Sequence, residues 1–203
     1  MGDPKKPKNK YSKPSHPWQA IRIEEEAKLK KDYGLKNKKE IWKAVSLIRD
    51  FKRQTKRIIA FPSPQSTIEE KQLLKKLARL NILPEGSLIE DVLNLEVTSI
   101  LDRRLQTQVY KKELARSPRQ ARQFITHGHI TIQESKVTVP SYLVLSKEEE
   151  FIHFKDNSKL HNEEHPERII LKKEKSKTAQ PKEKDKAEKV EGAYEEDVSL
   201  ISE

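Results

Sequence analysis

Two long stretches of the chain carry apolar residues at helical spacing. From Lys38 to Ala60, Ile41, Val45, Ile48 and Phe51 recur every three or four positions and predict a helix. Arg49, Lys52, Arg53, Lys56 and Arg57 gather toward its far end, where cations also favour the helix dipole. Phe61-Pro62-Ser63-Pro64 should break this helix, and Ser66 with Glu69 forms a capping box for the next. In that second helix Leu73, Leu74, Leu77 and Leu80 make a packing face, and Lys71, Lys75 and Arg79 form an i, i+4, i+8 row opposite. Such a row costs a few tenths of a kcal/mol per like-charged pair unless an anion neutralises it. Pro84 to Ser87 reads as a turn.

The next segment changes character twice within fifty residues. Val97, Ile100, Leu101, Leu105 and Val109 predict one helix with Arg103, Lys111 and Lys112 outside, and Arg104 adds to its charge. Ser117 is a good N-cap, Pro118 suits the first helical position, and Gln120 can complete a capping box. Ala121, Phe124 and Ile125 then fall on one face, with Arg119, Arg122 and Gln123 on the other, and Arg116 stands just ahead. Gly128 ends this helix, and Ile130-Thr131-Ile132 alternates as a strand does. Tyr142 to Leu145 and Phe151 to Phe154 read as further short strands about the charged turn at Lys147 to Glu150. The expected class is α+β: a helical region, then two helices packed on a short, bent antiparallel sheet.

The ends differ from this middle. Residues 1–17 hold Lys5, Lys6, Lys8, Lys10 and Lys13 among four prolines and cannot build a core, so they read as a disordered basic arm. Its Tyr11 and His16, with Trp18 beside it, could stack on bases if the arm orders against RNA, the alternative being a generic solubilising tail. From Leu160 onward Lys and Glu alternate with little apolar support. The boundaries expected are an arm over 1–17, a helical region over 18–96, a module over 97–155 and a charged, disordered tail over 156–203.

Charge narrows the partners. The chain carries +10 overall, but residues 160–203 hold 9 Lys and Arg against 12 Asp and Glu, leaving 33 against 20 before them. A strongly basic body attracts polyanions, whether RNA, DNA or anionic lipid. Clustered arginine favours RNA, because the planar guanidinium grips phosphate bidentately and stacks on bases. No cysteine is present, which removes disulfides and cysteine-based zinc sites. No apolar run approaches the roughly 20 residues of a membrane span, the N-terminus lacks a signal-peptide core, and Lys6 stands where a myristoylation signal needs Ser or Thr. The expectation is a soluble, cytoplasmic protein without a membrane partner.

Enzymatic chemistry finds little footing. His127 and His129 flank Gly128 without a third clustered ligand, so they fit phosphate or backbone hydrogen bonds better than a metal. Asp102 fits an early-helix anion or an arginine partner. Five glycines form neither a phosphate-cradling loop nor a nucleophile elbow, and no cofactor is expected.

The string Leu101-Asp102-Arg103-Arg104-Leu105, the run from Ala115 to Ile132 and Val137-Thr138-Val139-Pro140 resemble the small RNA-binding domain named after the fourth protein of the small ribosomal subunit. With Trp18, Tyr33-Gly34-Leu35 and Lys38-Lys39-Glu40-Ile41-Trp42, roughly residues 2–155 resemble that ribosomal family in its archaeal and eukaryotic type. Some bacterial members carry an N-terminal zinc-binding cysteine cluster, from which this chain departs. The resemblance implies a structural protein that binds small-subunit ribosomal RNA early in assembly at a multi-helix junction. It also implies contact with the fifth small-subunit protein, a place near where messenger RNA enters, an influence on decoding accuracy, and His127 and His129 at the RNA. The domain also occurs in pseudouridine synthases, tyrosyl-tRNA synthetases and a heat-shock protein. Alternatives are therefore a fragment of an RNA-modifying or aminoacylating enzyme, which lacks the catalytic length, a nucleolar small-subunit assembly factor, and a duplex-DNA binder.

Overall fold

A computed structural model describes residues 9–162 and 165–167. Its first core forms around the 23-residue α2 (Lys38–Ala60), which buries Ile41, Ala44, Ile48, Phe51 and Ile58. Against it packs α3 (Pro64–Arg79) through Leu73 and Leu77. The α3 helix starts earlier than Ser66: Ser63 Oγ accepts the Ser66 N–H, and the Ser66 hydroxyl accepts the Ser63 N–H. Pro64 thus opens α3 at its first position, where a missing N–H costs nothing.

The α1 helix (Ala20–Asp32) has no counterpart among the predicted elements, for a physical reason. Its anchor is polar. Buried Glu26 accepts Trp42 Nε1–H at 3.0 Å and pairs with Lys38 at 3.1 Å and Arg22 at 3.3 Å, while Ile21 is exposed. Gly34 ends the helix at φ +58, with Leu35 N–H bonded to Lys30 O and Gly34 N–H to Lys31 O.

The helix expected over 97–109 is two helices, α4 (Val97–Asp102) and α5 (Leu105–Lys111). Segment 140–144 captures the backbone between them. Leu105 N–H bonds Tyr142 O at 2.7 Å, Gln106 N–H bonds Pro140 O at 3.3 Å, and Val144 N–H bonds Arg103 O at 2.9 Å. The carbonyls that α4 leaves open are closed by side chains, Thr107 Oγ1 on Leu101 O at 2.7 Å and Gln108 Nε2 on Asp102 O at 2.9 Å. Residues 142–145 therefore form no strand, only an isolated bridge between Leu143 and Arg104.

The second core joins α5 and α6 (Pro118–Thr126) to a three-stranded antiparallel sheet ordered β2-β1-β3, comprising β1 (Ile130–Ile132), β2 (Ser135–Lys136) and β3 (Ile152–Phe154). Register pairs Thr131 with both Lys136 and His153. Leu105, Val109, Ala121, Ile125 and Ile130 are fully buried here, each large apolar side chain contributing about 1.5–3 kcal/mol. The class is α+β, as expected. Leu160, expected in a tail, is buried in this core, where residues 159–161 make a 3-10 turn. Beyond it, Asn162 and residues 165–167 are the described part of a separate unit, with His165 N–H bonded to Asn162 O. The rest of the expected tail lies outside the described residues. No helix among them is long and apolar enough to cross a membrane.

Candidate nucleic-acid interface

The α6 helix is fixed at both ends by local chemistry. Ser117 Oγ accepts the Gln120 N–H, and Gln120 Oε1 accepts the Arg116 N–H at 2.8 Å. At the other end Gly128, at φ +75, lets His129 N–H reach Phe124 O and Gly128 N–H reach Ile125 O. Arg119 and Gln123 are exposed on this frame, as is Arg116 before it. His127 is exposed too, while His129 is half-buried, its Nδ1 2.9 Å from Ser158 Oγ and its ring edge-on to Phe124. Burial, then the neighbouring His127 and Lys136, hold the His129 pKa below its usual value. At neutral pH His129 is therefore a hydrogen-bonding group rather than a cation.

Three arginines expected on the outer face are not there. Arg103 is 6% exposed, pairing with Glu149 at 2.8 Å and donating to Val144 O. Arg104 is 5% exposed and pairs with Glu40 at 2.5 Å. Arg122 turns back to the same carboxylate at 2.9 Å and to Gln106 Oε1 at 3.3 Å. Burial would raise the Glu40 pKa, but hydrogen bonds from Arg122 and Arg104, with their charges, override it and hold the group below its ordinary range. One carboxylate thus ties α2 to the start of α5 and to α6. A buried ion must be paired, so Arg103 and Arg104 go inward because Glu149 and Glu40 wait there.

Sequence reading missed this tie. Glu40 is visible only as a first-turn acid of α2, and its partners lie 64 and 82 residues away. It missed Gln106 as well, whose buried amide reaches Tyr33 O, Gly34 O and Pro118 O within 3.1 Å. Gly34 explains the closeness: a Cβ there would lie 2.9 Å from Pro118 Cβ and 3.1 Å from Arg119 N.

The remaining predicted cations divide by whether a carboxylate holds them. Lys71, Lys75 and Arg79 are exposed along α3, and none forms an ion pair among the described residues. On α2, Lys56 is exposed and Lys52 half-buried, also unpaired, whereas Arg53 pairs with Asp50 and Arg57 with Glu69. Lys111 pairs with Asp102, and Lys112 is half-buried. Of the arm, Lys5, Lys6 and Lys8 lie outside the described residues, while Lys10 and Lys13 are exposed. Between those two, the arm is anchored to α2. Ser12 N–H bonds Ser46 Oγ, Arg49 donates to Ser12 Oγ, and Tyr11 packs on Trp42 at 6.1 Å. Trp18 is 89% exposed. Among the described residues no group of three His, Cys, Asp or Glu could hold a metal.

Residues 103–150 match the S4 domain family, covering α5, α6, β1, β2 and the buried Arg103 and Arg104. Small ribosomal subunit protein uS4 of Methanococcus aeolicus is 48% identical over 169 residues, covering 83% of this chain and 96% of that protein. The uS4 protein of Thermoplasma acidophilum is 47% identical over 90% of this chain and 94% of its own length. That of Thermoplasma volcanium is 43% identical over 97% of this chain and its whole length. These relatives are ribosomal proteins, not enzymes. With likeness of this degree across both cores and not the S4 domain alone, the chain belongs to the uS4 family of small ribosomal subunit proteins.

Proposed function

We propose that this protein binds small-subunit ribosomal RNA on the cytoplasmic ribosome and acts as a scaffold, holding several RNA helices of one junction together during assembly. The observation that carries the reading is the sorting of cations. Arginines inside the fold are paired to carboxylates, whereas Lys71, Lys75, Arg79, Arg116 and Arg119 stand exposed with no ion pair among the described residues. Exposed cations on α3 and at the start of α6, without ion pairs among the described residues, suit phosphates of different RNA segments, recognised by shape rather than base edges. Lys10, Lys13, Lys56, Gln123 and His127 are exposed as well, and Lys52 and Lys112 are half-buried. The carboxylate-paired Arg49-neighbouring residues Arg53 and Arg57, with Lys111, would exchange a surface ion pair of small worth for a phosphate. Contact with the fifth small-subunit protein and an effect on decoding accuracy belong to this reading through the family.

The test is the salt dependence of binding to a small-subunit RNA fragment containing the 5′ junction. Lys71→Ala/Lys75→Ala and Arg116→Ala/Arg119→Ala should each weaken binding and lower the slope of log K against log salt by about 2. An unchanged slope in both double variants refutes the assignment.

A further inference from the structure

A groove of about 550 Å³ opens where the start of α2 meets the α4–α5 break and residues 140–143. Lys39, Lys43, Arg104 and Arg122 line it, against one carboxylate, Glu40, already shared by the two arginines. Its surplus is therefore three positive charges. Two other grooves lack this excess: the one beside α3 sets Lys75, Arg79 and Lys147 against Glu85 and Glu148, and the one beside β3 sets Lys136 and Lys155 against Glu134 and Asp156. Lys39 and Lys43 lie one turn apart on α2, both exposed and without an ion pair among the described residues.

The walls match the other half of a nucleotide. Leu47 and Leu143 supply an apolar side, and Tyr11 supplies an aromatic ring at the edge, steadied by Trp42. Asn37 and Ser141 add hydrogen-bonding groups, and the Asn37 side chain makes no cap bond with α2. Cations beside an aromatic and an apolar wall are the ingredients by which proteins hold unpaired RNA: phosphate on ammonium, base on a flat or greasy face. A duplex offers no loose base to fill such a groove.

We propose that this groove takes one unstacked nucleotide of RNA, its phosphate at Lys39 and Lys43 and its base between Tyr11 and the Leu47–Leu143 wall. The site rests on the RNA-binding reading above and deepens it: a contact with a single-stranded nucleotide is added to contacts with helical backbone. Neither lysine stands out in the sequence, because the groove forms only when residues about 100 apart in the chain meet.

Amide NMR of the full chain titrated with adenosine monophosphate, inorganic phosphate and a polyglutamate peptide tests it. The mononucleotide should shift Asn37, Lys43 and Ser141 saturably at millimolar concentration, and phosphate should do so about tenfold more weakly, as loss of base stacking requires. Lys43→Ala and Ser141→Trp, both at exposed positions, should abolish these shifts and weaken binding to the junction RNA about tenfold, with unfolding temperature unchanged as the control on folding. Shifts from phosphate equal to those from the mononucleotide would reduce the groove to an anion site and overturn the proposal. So would shifts from polyglutamate alone, which would assign the groove to a protein, or wild-type RNA affinity in both variants. Junction RNA bound normally by those variants leaves the scaffold reading standing, whereas loss of RNA binding by the wild-type chain sinks both.

Discussion

Removing the Glu40 carboxylate should do more damage than removing any exposed cation. In Glu40→Ala the two arginines that share it fare differently. Arg122, with a quarter of its side chain exposed, can turn toward water, so its loss of partner costs little. Arg104, with only 6% of its side chain exposed, cannot: its Nη2 loses the 2.5 Å contact, and its Nε already lacks a hydrogen-bond partner among the described residues. Leaving one buried charge uncompensated costs about 3–5 kcal/mol. For a fold of this size each kcal/mol moves the unfolding temperature by about 2–4 °C, so the shift should be roughly 6–20 °C downward.

Thermal unfolding by circular dichroism at pH 7 measures it, with Arg122→Ala and Glu40→Ala/Arg104→Met as companions. Arg122→Ala should cost much less than Glu40→Ala, and the double variant should recover part of the loss, because an apolar side chain removes the stranded charge. The pH dependence follows from the same contacts. Glu40 titrates lower folded than unfolded, so its contribution is complete above the ordinary carboxylate range and is lost as pH falls through its lowered folded value. Glu40→Ala should therefore flatten the acid limb of stability against pH. A fall in unfolding temperature below 2 °C, or equal losses for Glu40→Ala and Arg122→Ala, would refute the view that Arg104 is the captive partner.

Phe124→Ala should cost about 3–5 kcal/mol by denaturant titration, since its ring meets Phe154 at 6.0 Å in the second core, and a loss under 1 kcal/mol would mean the core closes over the void. Gly34→Ala should destabilise by about 1–2 kcal/mol from the positive φ alone, and by more if the Pro118 Cβ at 2.9 Å cannot retreat, whereas wild-type stability would show that this crossing is loose. Tyr33 is pushed up to about 12 by burial and by its hydrogen bond to Asp102, so one phenol should titrate late in an ultraviolet pH titration. Because its unfolded value is lower, stability should fall as pH rises from about 10, and Tyr33→Phe should remove that part of the alkaline loss.

What could be read from the sequence is what neighbours in the chain decide. Ser117, Pro118 and Gly128 fix α6 by contacts no more than five residues apart, and the spacing of Ile41, Ile48 and Phe51 fixes the buried face of α2. The serine pair at Ser63 and Ser66 shows the margin of such reading. Both can cap, and the choice falls to Ser63 because Pro64 then occupies the first helical turn instead of interrupting one. The break between α4 and α5 has no such local mark. Neither glycine nor proline stands at Arg103-Arg104, and the helix ends because Pro140, Tyr142 and Val144 offer other partners to the same backbone.

Arginine on the apparent outer face of a helix carries the deepest ambiguity, because phosphate and carboxylate satisfy a guanidinium equally well. Arg103, Arg104 and Arg119 look alike along the chain, yet two are held by Glu149 and Glu40 while the third is left open. Which of them stays free for an outside anion is decided by where remote acids fold, so the cationic surface of this protein is defined as much by Glu40 and Glu149 as by its arginines. The same carboxylate that withdraws Arg104 and Arg122 from the surface joins α2 to α6, the helices that carry separate groups of exposed cations. The scaffold role proposed above needs those groups at a fixed spacing. Pairing Arg104 and Arg122 to the one carboxylate of Glu40 is how this sequence obtains it.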